Sequence, residues 1–194
     1  EKTRDTPYAK QIERIHVGAT RMTTLLNDLL DYSKRQLGAP MVLQTEPCDL
    51  GTAVGEEVEL LRASLPDTGI GFEATGDVTG RFDASRIREA VHNLVTNAAK
   101  YGTPGTEVSV AVEADAGRIR IHVRNAGAPL TDDALRVLFD PLRRGAEPAS
   151  AYEHASLGLG LFLVREIAQA HGGDVQATSA DGTTTFTLDL PRTR

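Results

Sequence analysis

Near the start of the chain, apolar residues recur at steps of three and four: Ile12, Ile15, Ala19, Met22, Leu26 and Leu29. That is the 3.5-residue period of helices that pack nearly parallel in a bundle. Leu25 and Leu30 widen the stripe beyond what a two-stranded coil needs, while Arg14, Arg21, Asp28 and Lys34 fall off it. The pattern predicts one helix over 8–37, ended by Gly38-Ala39-Pro40. A single helix cannot bury such a stripe. No other long heptad segment follows, so partner helices are implied.

Beyond residue 40 the periods shorten and alternate. Residues 41–50 read as a short strand and turn. Leu50–Leu65 reads as a helix with Val54, Val58, Leu61 and Leu65 on one face, broken by Pro66 and Gly69. Ile70–Ala74 and Val78–Phe82 read as short strands around Gly76. Asp83 is a good N-cap for a helix over Ala84–Tyr101. Val108–Ala114 and Arg118–Arg124 alternate about Asp115-Ala116-Gly117, the pattern of a hairpin. Thr131 caps a short helix through Leu138, and residues 143–157, rich in Gly, Ala, Ser and Glu, read as a mobile loop. A helix over Leu159–His171 stops at Gly172-Gly173. Asp174–Ser179 and Thr184–Leu190 close the fold as a strand pair. This order predicts a mixed layered fold rather than the βαβ alternation of a dinucleotide-binding sheet. No internal repeat is evident.

Composition narrows the function. The 194 residues carry a formal net charge of −6, opposite to that of most free duplex-DNA binders. Cys48 is the single cysteine, which excludes an internal disulfide framework and a multi-cysteine zinc site and fits a reducing, cytoplasmic setting. No apolar run approaches the roughly 20 residues of a membrane helix. Glu1–Asp5 lacks the apolar core of a signal peptide, and the chain does not begin with Met, as expected of a segment of a longer polypeptide. Five Phe, four Tyr and no Trp are too few for a platform that stacks single-stranded nucleic acid.

On the helix over 84–101, Arg86, Glu89, Asn93, Asn97 and Lys100 share an arc of roughly 80° at about 100° per residue. Ile87, Ala90, Val91, Leu94, Val95 and Ala98 centre on another face. Two asparagines one turn apart are unusual, since Asn competes with the helix backbone for hydrogen bonds. A solvated face is the plain reading of such a stripe. A ligand face is the other: amide oxygens suit a hard cation such as Mg²⁺, and Lys100 suits a phosphate. Three later segments favour the ligand. Arg124-Asn125-Ala126-Gly127-Ala128-Pro129 ends a strand in a turn, Phe139-Asp140-Pro141-Leu142 follows a short helix, and Ser156-Leu157-Gly158-Leu159-Gly160-Leu161 opens another. Glycines there expose backbone N–H groups where a phosphate is stabilised by unpaired donors and the helix dipole.

These segments, in this order, resemble the C-terminal region of sensor histidine kinases, which share the Bergerat ATP-binding fold with gyrase and Hsp90. His92–Tyr101 resembles the N box, Phe139–Leu142 the F box and Gly158–Leu161 the G2 box. Residues 143–157 would then be the ATP lid, and Thr184, two before Phe186, would lie near adenine. Leu26-Asn27-Asp28-Leu29-Leu30-Asp31-Tyr32-Ser33 resembles the second helix of the family's dimerisation and phosphotransfer domain. The resemblance implies an α+β class: a Bergerat sandwich over 41–194, preceded in 1–40 by a long helix of a dimeric four-helix bundle. It implies ATP and Mg²⁺ as ligands. Asn93, Asn97 and Lys100 would take catalytic roles, with Asn97 the metal ligand. Further nucleotide contacts would come from Tyr101, Asn125, Gly127, Leu130, Phe139, Arg143, Arg144, Gly158, Leu159, Gly160, Leu161 and Thr184. The implied partners are a second copy through helix 8–37, a response-regulator receiver domain and an upstream sensor on the same polypeptide. Nucleic acid and membrane are not expected partners of this segment.

The sequence departs from the family in three places. None of His16, His92, His122, His154 and His171 has the acidic neighbour and nearby proline of the family's phosphoacceptor. The expected acceptor therefore lies on a helix outside this chain. The family's Asp-x-Gly-x-Gly is Asn125-Ala126-Gly127-Ala128-Pro129 here, which replaces a charged acceptor for the adenine amino group with a neutral one. Pro129 also removes an N–H. Ser156 stands at the first glycine of the G2 box. Two other readings stay open: a non-catalytic nucleotide-binding or dimerisation scaffold, and a gyrase- or Hsp90-type ATPase. The second is disfavoured by Asn93, which stands where those relatives carry a catalytic Glu.

Overall fold

The computed structural model describes residues 40–142 except 116, residues 158–192, and scattered positions between Gln11 and Gly38. The described positions from Gln11 to Ser33 are helical. After them come β1 (Glu46–Asp49), α1 (Leu50–Ser64), β2 (Ile70–Thr75), β3 (Thr79–Phe82) and α2 (Ala84–Tyr101). Next are β4 (Val108–Asp115), β5 (Arg118–Ala126), α3 (Asp132–Arg136), α4 (Gly160–Ala170), β6 (Asp174–Ala180) and β7 (Thr183–Pro191). The mixed α+β architecture expected from the sequence is the one observed. Element ends move by a residue or two, because helices fray at their caps. Leu159 and His171 are the caps of α4 rather than its first and last turns, and α3 stops at Arg136, short of Leu138.

Five strands form one sheet in the order β2-β4-β5-β7-β6, antiparallel except for the parallel β2–β4 pair. β1 and β3 form a separate antiparallel pair. The two short strands around Gly76 therefore do not pair with each other: β2 joins the main sheet and β3 crosses to β1. Gly76 has a positive φ of 79°, which lets the chain turn away between them. Arg192 ties this corner to the C-terminal strand by donating to the Asp77 carboxylate and to the Thr79 carbonyl. The Thr79 hydroxyl, and after it Arg192, holds the Asp77 carboxyl down to about 2.

Alternation along the strands decides the core. Val108, Val110 and Val112 on β4, Ile119, Ile121 and Val123 on β5, and Phe186, Leu188 and Leu190 on β7 are all buried. α1, α2 and α4 cover this face with Leu50, Val54, Val58 and Leu61, with Ile87, Val91, Leu94 and Val95, and with Val164 and Ile167. The Asp83 carboxylate caps α2 as the sequence predicts, accepting from the Arg86 N–H at 3.1 Å. Asp49 caps α1 and Thr131 caps α3 in the same way. By contrast, the seam residues Ile12, Ile15, Met22, Leu26 and Leu29 are 47–71% exposed. At the end of that helix Tyr32 meets Phe162 edge-on at 5.7 Å, in a small cluster with Leu159 and Leu163.

The turn after α4 runs close against the sheet. Gly172 takes a φ of 73°, and a Cβ on Gly173 would run into the Asp189 backbone carbonyl of β7. Gly173→Ala is expected to destabilise the fold by about 1–3 kcal/mol through overpacking against backbone that cannot yield. Urea unfolding would show this as a lower midpoint, and an unchanged midpoint would contradict it.

Candidate functional site

The core-facing row of the sheet turns polar at one end. Asn125 lies two residues beyond Val123 on β5, and Thr184 two before Phe186 on β7; the two are cross-strand partners. Both are buried. A buried polar group is costly unless it is hydrogen-bonded. The Asn125 Nδ2 donates to the Ala126 carbonyl at 3.2 Å, leaving its amide oxygen as an acceptor. The Thr184 hydroxyl lies 3.4 Å from that of Ser179, which also accepts from the Leu130 N–H at 3.0 Å. Leu130 is thus fixed by its backbone at the rim of this polar end.

Helix α2 ends over the same place. The Gly102 N–H bonds to Ala98 and the Thr103 N–H to the Ala126 carbonyl, each at 2.8 Å. A Cβ on Gly127 would sit 3.3 Å from both the Asn125 Nδ2 and the Tyr101 carbonyl oxygen. Glycine at 127 therefore lets the end of β5 close against the end of α2. Along α2, the apolar face is sealed, and Asn93 and Asn97 are partly exposed beside it. Neither amide side chain hydrogen-bonds to another described residue. At the stripe's ends Arg86 pairs with Glu89 at 2.7 Å, and the exposed Lys100 Nζ stands 5.0 Å from the Tyr101 ring centre.

Helix α4 closes the other side. Its N-cap Leu159 is buried and makes no side-chain cap hydrogen bond, unlike the caps of α1, α2 and α3. Among the described residues, no side chain caps the first-turn N–H groups from Gly160 and Leu161 onward, which a helix start leaves without intrahelical partners. A Cβ on Gly160 would lie 3.0 Å from the Asn93 Oδ1, so this helix start backs directly onto the asparagine stripe. Gly158 holds a φ of 68°, and its carbonyl accepts from the Leu142 N–H at 3.1 Å. That bond joins the two ends of segment 143–157. Phe139, just before it, is buried edge-on against Phe186 at 6.4 Å.

The structure thus brings Gly160 onto Asn93, one turn from Asn97 on α2, and brings Asn125, Thr184 and Gly127 together at the C-terminal end of that helix. Arg143, Arg144, Ser156, His154 and the lid reading of 143–157 lie outside the described residues, as does His16. The other histidines are held structurally. His92 pairs with Glu57 at 2.9 Å on the surface, and His122 bridges Thr187 and Glu113 across the sheet. His171 caps α4. Among the described residues, no three His, Cys, Asp or Glu side chains cluster to hold a metal. The Leu142–Gly158 closure and the bond from the Leu130 N–H to the Ser179 hydroxyl carry no sequence signal, because both appear only once distant segments are placed.

Residues 82–194 match the family described as histidine kinase-, DNA gyrase B-, and HSP90-like ATPase. The chain belongs to that family. The histidine protein kinase DivJ of Caulobacter vibrioides is 33% identical over 190 residues, covering 95% of this chain and 31% of that one. Full-length ShkA, solved in complex with AMPPNP, superposes with a TM-score of 0.74 at 25% identity, over 100% of this chain and 41% of that one. The histidine kinase ThkA, solved in complex with the response regulator TrrA, gives 0.72 at 23% identity, over 97% of this chain and 52% of that one. The chain spans less than half the length of the curated relatives it matches. The sensor histidine kinase CusS of Escherichia coli is 29% identical over 175 residues, covering 89% of this chain and 36% of that one, so the relatives include the family that the motif order implied.

The contact between Gly160 and Asn93 separates binding from folding. Gly160→Ala places a methyl group at the Asn93 amide while improving helix propensity by up to about 1 kcal/mol. ATP affinity is expected to fall fivefold or more with the unfolding midpoint unchanged or raised. Calorimetric titration beside thermal melting reads both; unchanged affinity would show that this helix start does not border the ligand.

Proposed function

We propose that this chain is the ATP-binding kinase module of a sensor histidine kinase, passing the γ-phosphoryl of ATP to a histidine on a preceding helix. The observation that carries the reading is the uncapped start of α4 set against the Asn93–Asn97 stripe. Open helix-terminal N–H groups favour phosphate oxygens, and the buried Asn125–Thr184 pair offers a flat base one polar acceptor and one hydroxyl. Residues 1–40 would be the second helix of the phosphotransfer domain and 41–194 the catalytic domain.

Catalysis in such a module is positioning and charge neutralisation rather than covalent help. The N–H groups of Gly160 and Leu161 orient the phosphates. Asn93 borders them, and Lys100, with Arg143 and Arg144 at the lid edge, offsets their charge. Asn97 fits a Mg²⁺ ion: its amide oxygen has no partner among the described residues, and this cation takes few protein ligands beyond phosphate and water. When bound, the ion neutralises phosphate charge. Asn93 is a poor base for activating water, which favours transfer over hydrolysis. The exposed seam Ile12, Ile15, Met22, Leu26, Leu29 supports a homodimer through helix 8–37. A receiver domain would take the phosphoryl group onward, a sensor on the same polypeptide would lie upstream, and the setting would be cytoplasmic. Among the described residues, no helix is long and apolar enough to cross a membrane.

With radiolabelled Mg-ATP, these 194 residues alone are expected to form no acid-labile phosphohistidine, whereas a chain extended by the preceding helix forms it as a dimer. Failure of the extended dimer to label, with ATP bound, would favour the scaffold reading. Label on the short chain that vanishes in His16→Gln would place the acceptor there instead. In parallel, Asn97→Ala should abolish the gain in ATP affinity that Mg²⁺ confers on the wild type. An equal gain in the variant would remove Asn97 from the metal.

A further inference from the structure

Besides their apolar packing, helices α2 and α4 meet at two polar points. At one, Gly160 backs onto Asn93. At the other, the Asp83 N–H, at the N-cap of α2, donates to the His171 Nε2 at 3.1 Å. His171 is the C-cap of α4. Its Nδ1 lies 2.8 Å from the Ile167 carbonyl, which can only accept, so Nδ1 carries the proton and Nε2 is the bare acceptor that Asp83 needs. The ring also packs at 6.1 Å from Phe82, immediately before the cap.

The helices run antiparallel, and the two contacts are separated by the same length on each. From Asp83 to Asn93 the rise is about 15 Å, and from Gly160 to His171 about 16 Å, at 1.5 Å per residue. Pinning one end therefore fixes the other. A slide of α4 by one residue, about 1.5 Å, would break the Asp83–His171 bond and move Gly160 off Asn93 by the same distance. The apolar contacts between the helices are less exacting, because dispersion between methyl groups is non-directional, whereas a hydrogen bond weakens steeply with distance and angle.

We propose that His171 is a positioning residue for the nucleotide site: its Nε2 sets the axial register of α4 against α2 and so holds the phosphate-facing backbone of Gly160 against Asn93. The assignment rests on the nucleotide-binding reading above. Asp83 extends the tie further, because its second carboxylate oxygen accepts from the Gln44 N–H at 2.9 Å. The segment leading into β1, the start of α2 and the end of α4 are thereby joined at one residue.

Two substitutions split the imidazole's two bonds. His171→Gln puts an amide oxygen near the Nε2 position and keeps the acceptor for Asp83. His171→Asn puts an amide nitrogen near Nδ1, which keeps the donor to Ile167 and loses the acceptor. Calorimetric titration of the 194-residue chain with Mg-ATP, beside urea unfolding, should give His171→Gln within threefold of wild-type affinity. His171→Asn should be weaker by fivefold or more while still folded. Equal affinities in the two variants, or losses that track stability in both, would overturn the assignment. Should the asparagine variant not fold, the Asp83 amide decides: slow hydrogen exchange in the wild type and in His171→Gln supports the pin, and fast exchange in the wild type overturns it. Wild-type chain that binds no nucleotide would instead overturn the nucleotide reading, and the positioning role with it.

Discussion

The site depends on one buried surface, the apolar face of the Ala84–Tyr101 helix. Ile87, Val91, Leu94 and Val95 are wholly buried there between the sheet and the two neighbouring helices. Each such side chain contributes roughly 1.5–3 kcal/mol on burial. Together that is comparable to the net stability of a whole domain, about 5–15 kcal/mol. The helix therefore cannot turn this face outward to suit a ligand. Asn93 and Asn97, on the adjacent stripe, inherit that rigidity without contributing to the core themselves.

The same economy governs the sheet. One alternating row serves as core through most of its length and turns polar at its end, where Val123 gives way to Asn125 and Phe186 is preceded by Thr184. No separate scaffold is needed for these polar groups, because strand pairing and pleat already set their positions. The substitution of asparagine for the family's aspartate fits this setting. A carboxylate at 125 would face the backbone carbonyl of Ala126, to which the amide donates instead.

Much of this was legible in the sequence, for local reasons. The α2 boundaries follow from the Asp83 cap and the 3.6-residue period, and the β4–β5 hairpin from strict alternation around Gly117. The asparagine stripe and the Gly-x-Gly helix start could be paired only through the resemblance, because nothing local says that residue 93 meets residue 160. Strand order was less legible. Val78–Phe82 reads as a short strand beside Gly76, and its pairing with β1 is a choice made by packing rather than by its own five residues. His171 reads as an ordinary helix terminus, and only its bond to an N–H 88 positions earlier in the chain distinguishes it.

The Leu142–Gly158 bond closes a ring in the chain. With the two flanks of segment 143–157 joined by that bond, a change in the segment's length adds a loop-closure entropy to the fold. That term grows slowly: doubling the loop costs about 0.6 kcal/mol. Extra residues inserted between these two anchors would thus load the surrounding frame only weakly through chain entropy, whatever the inserted sequence does for the nucleotide.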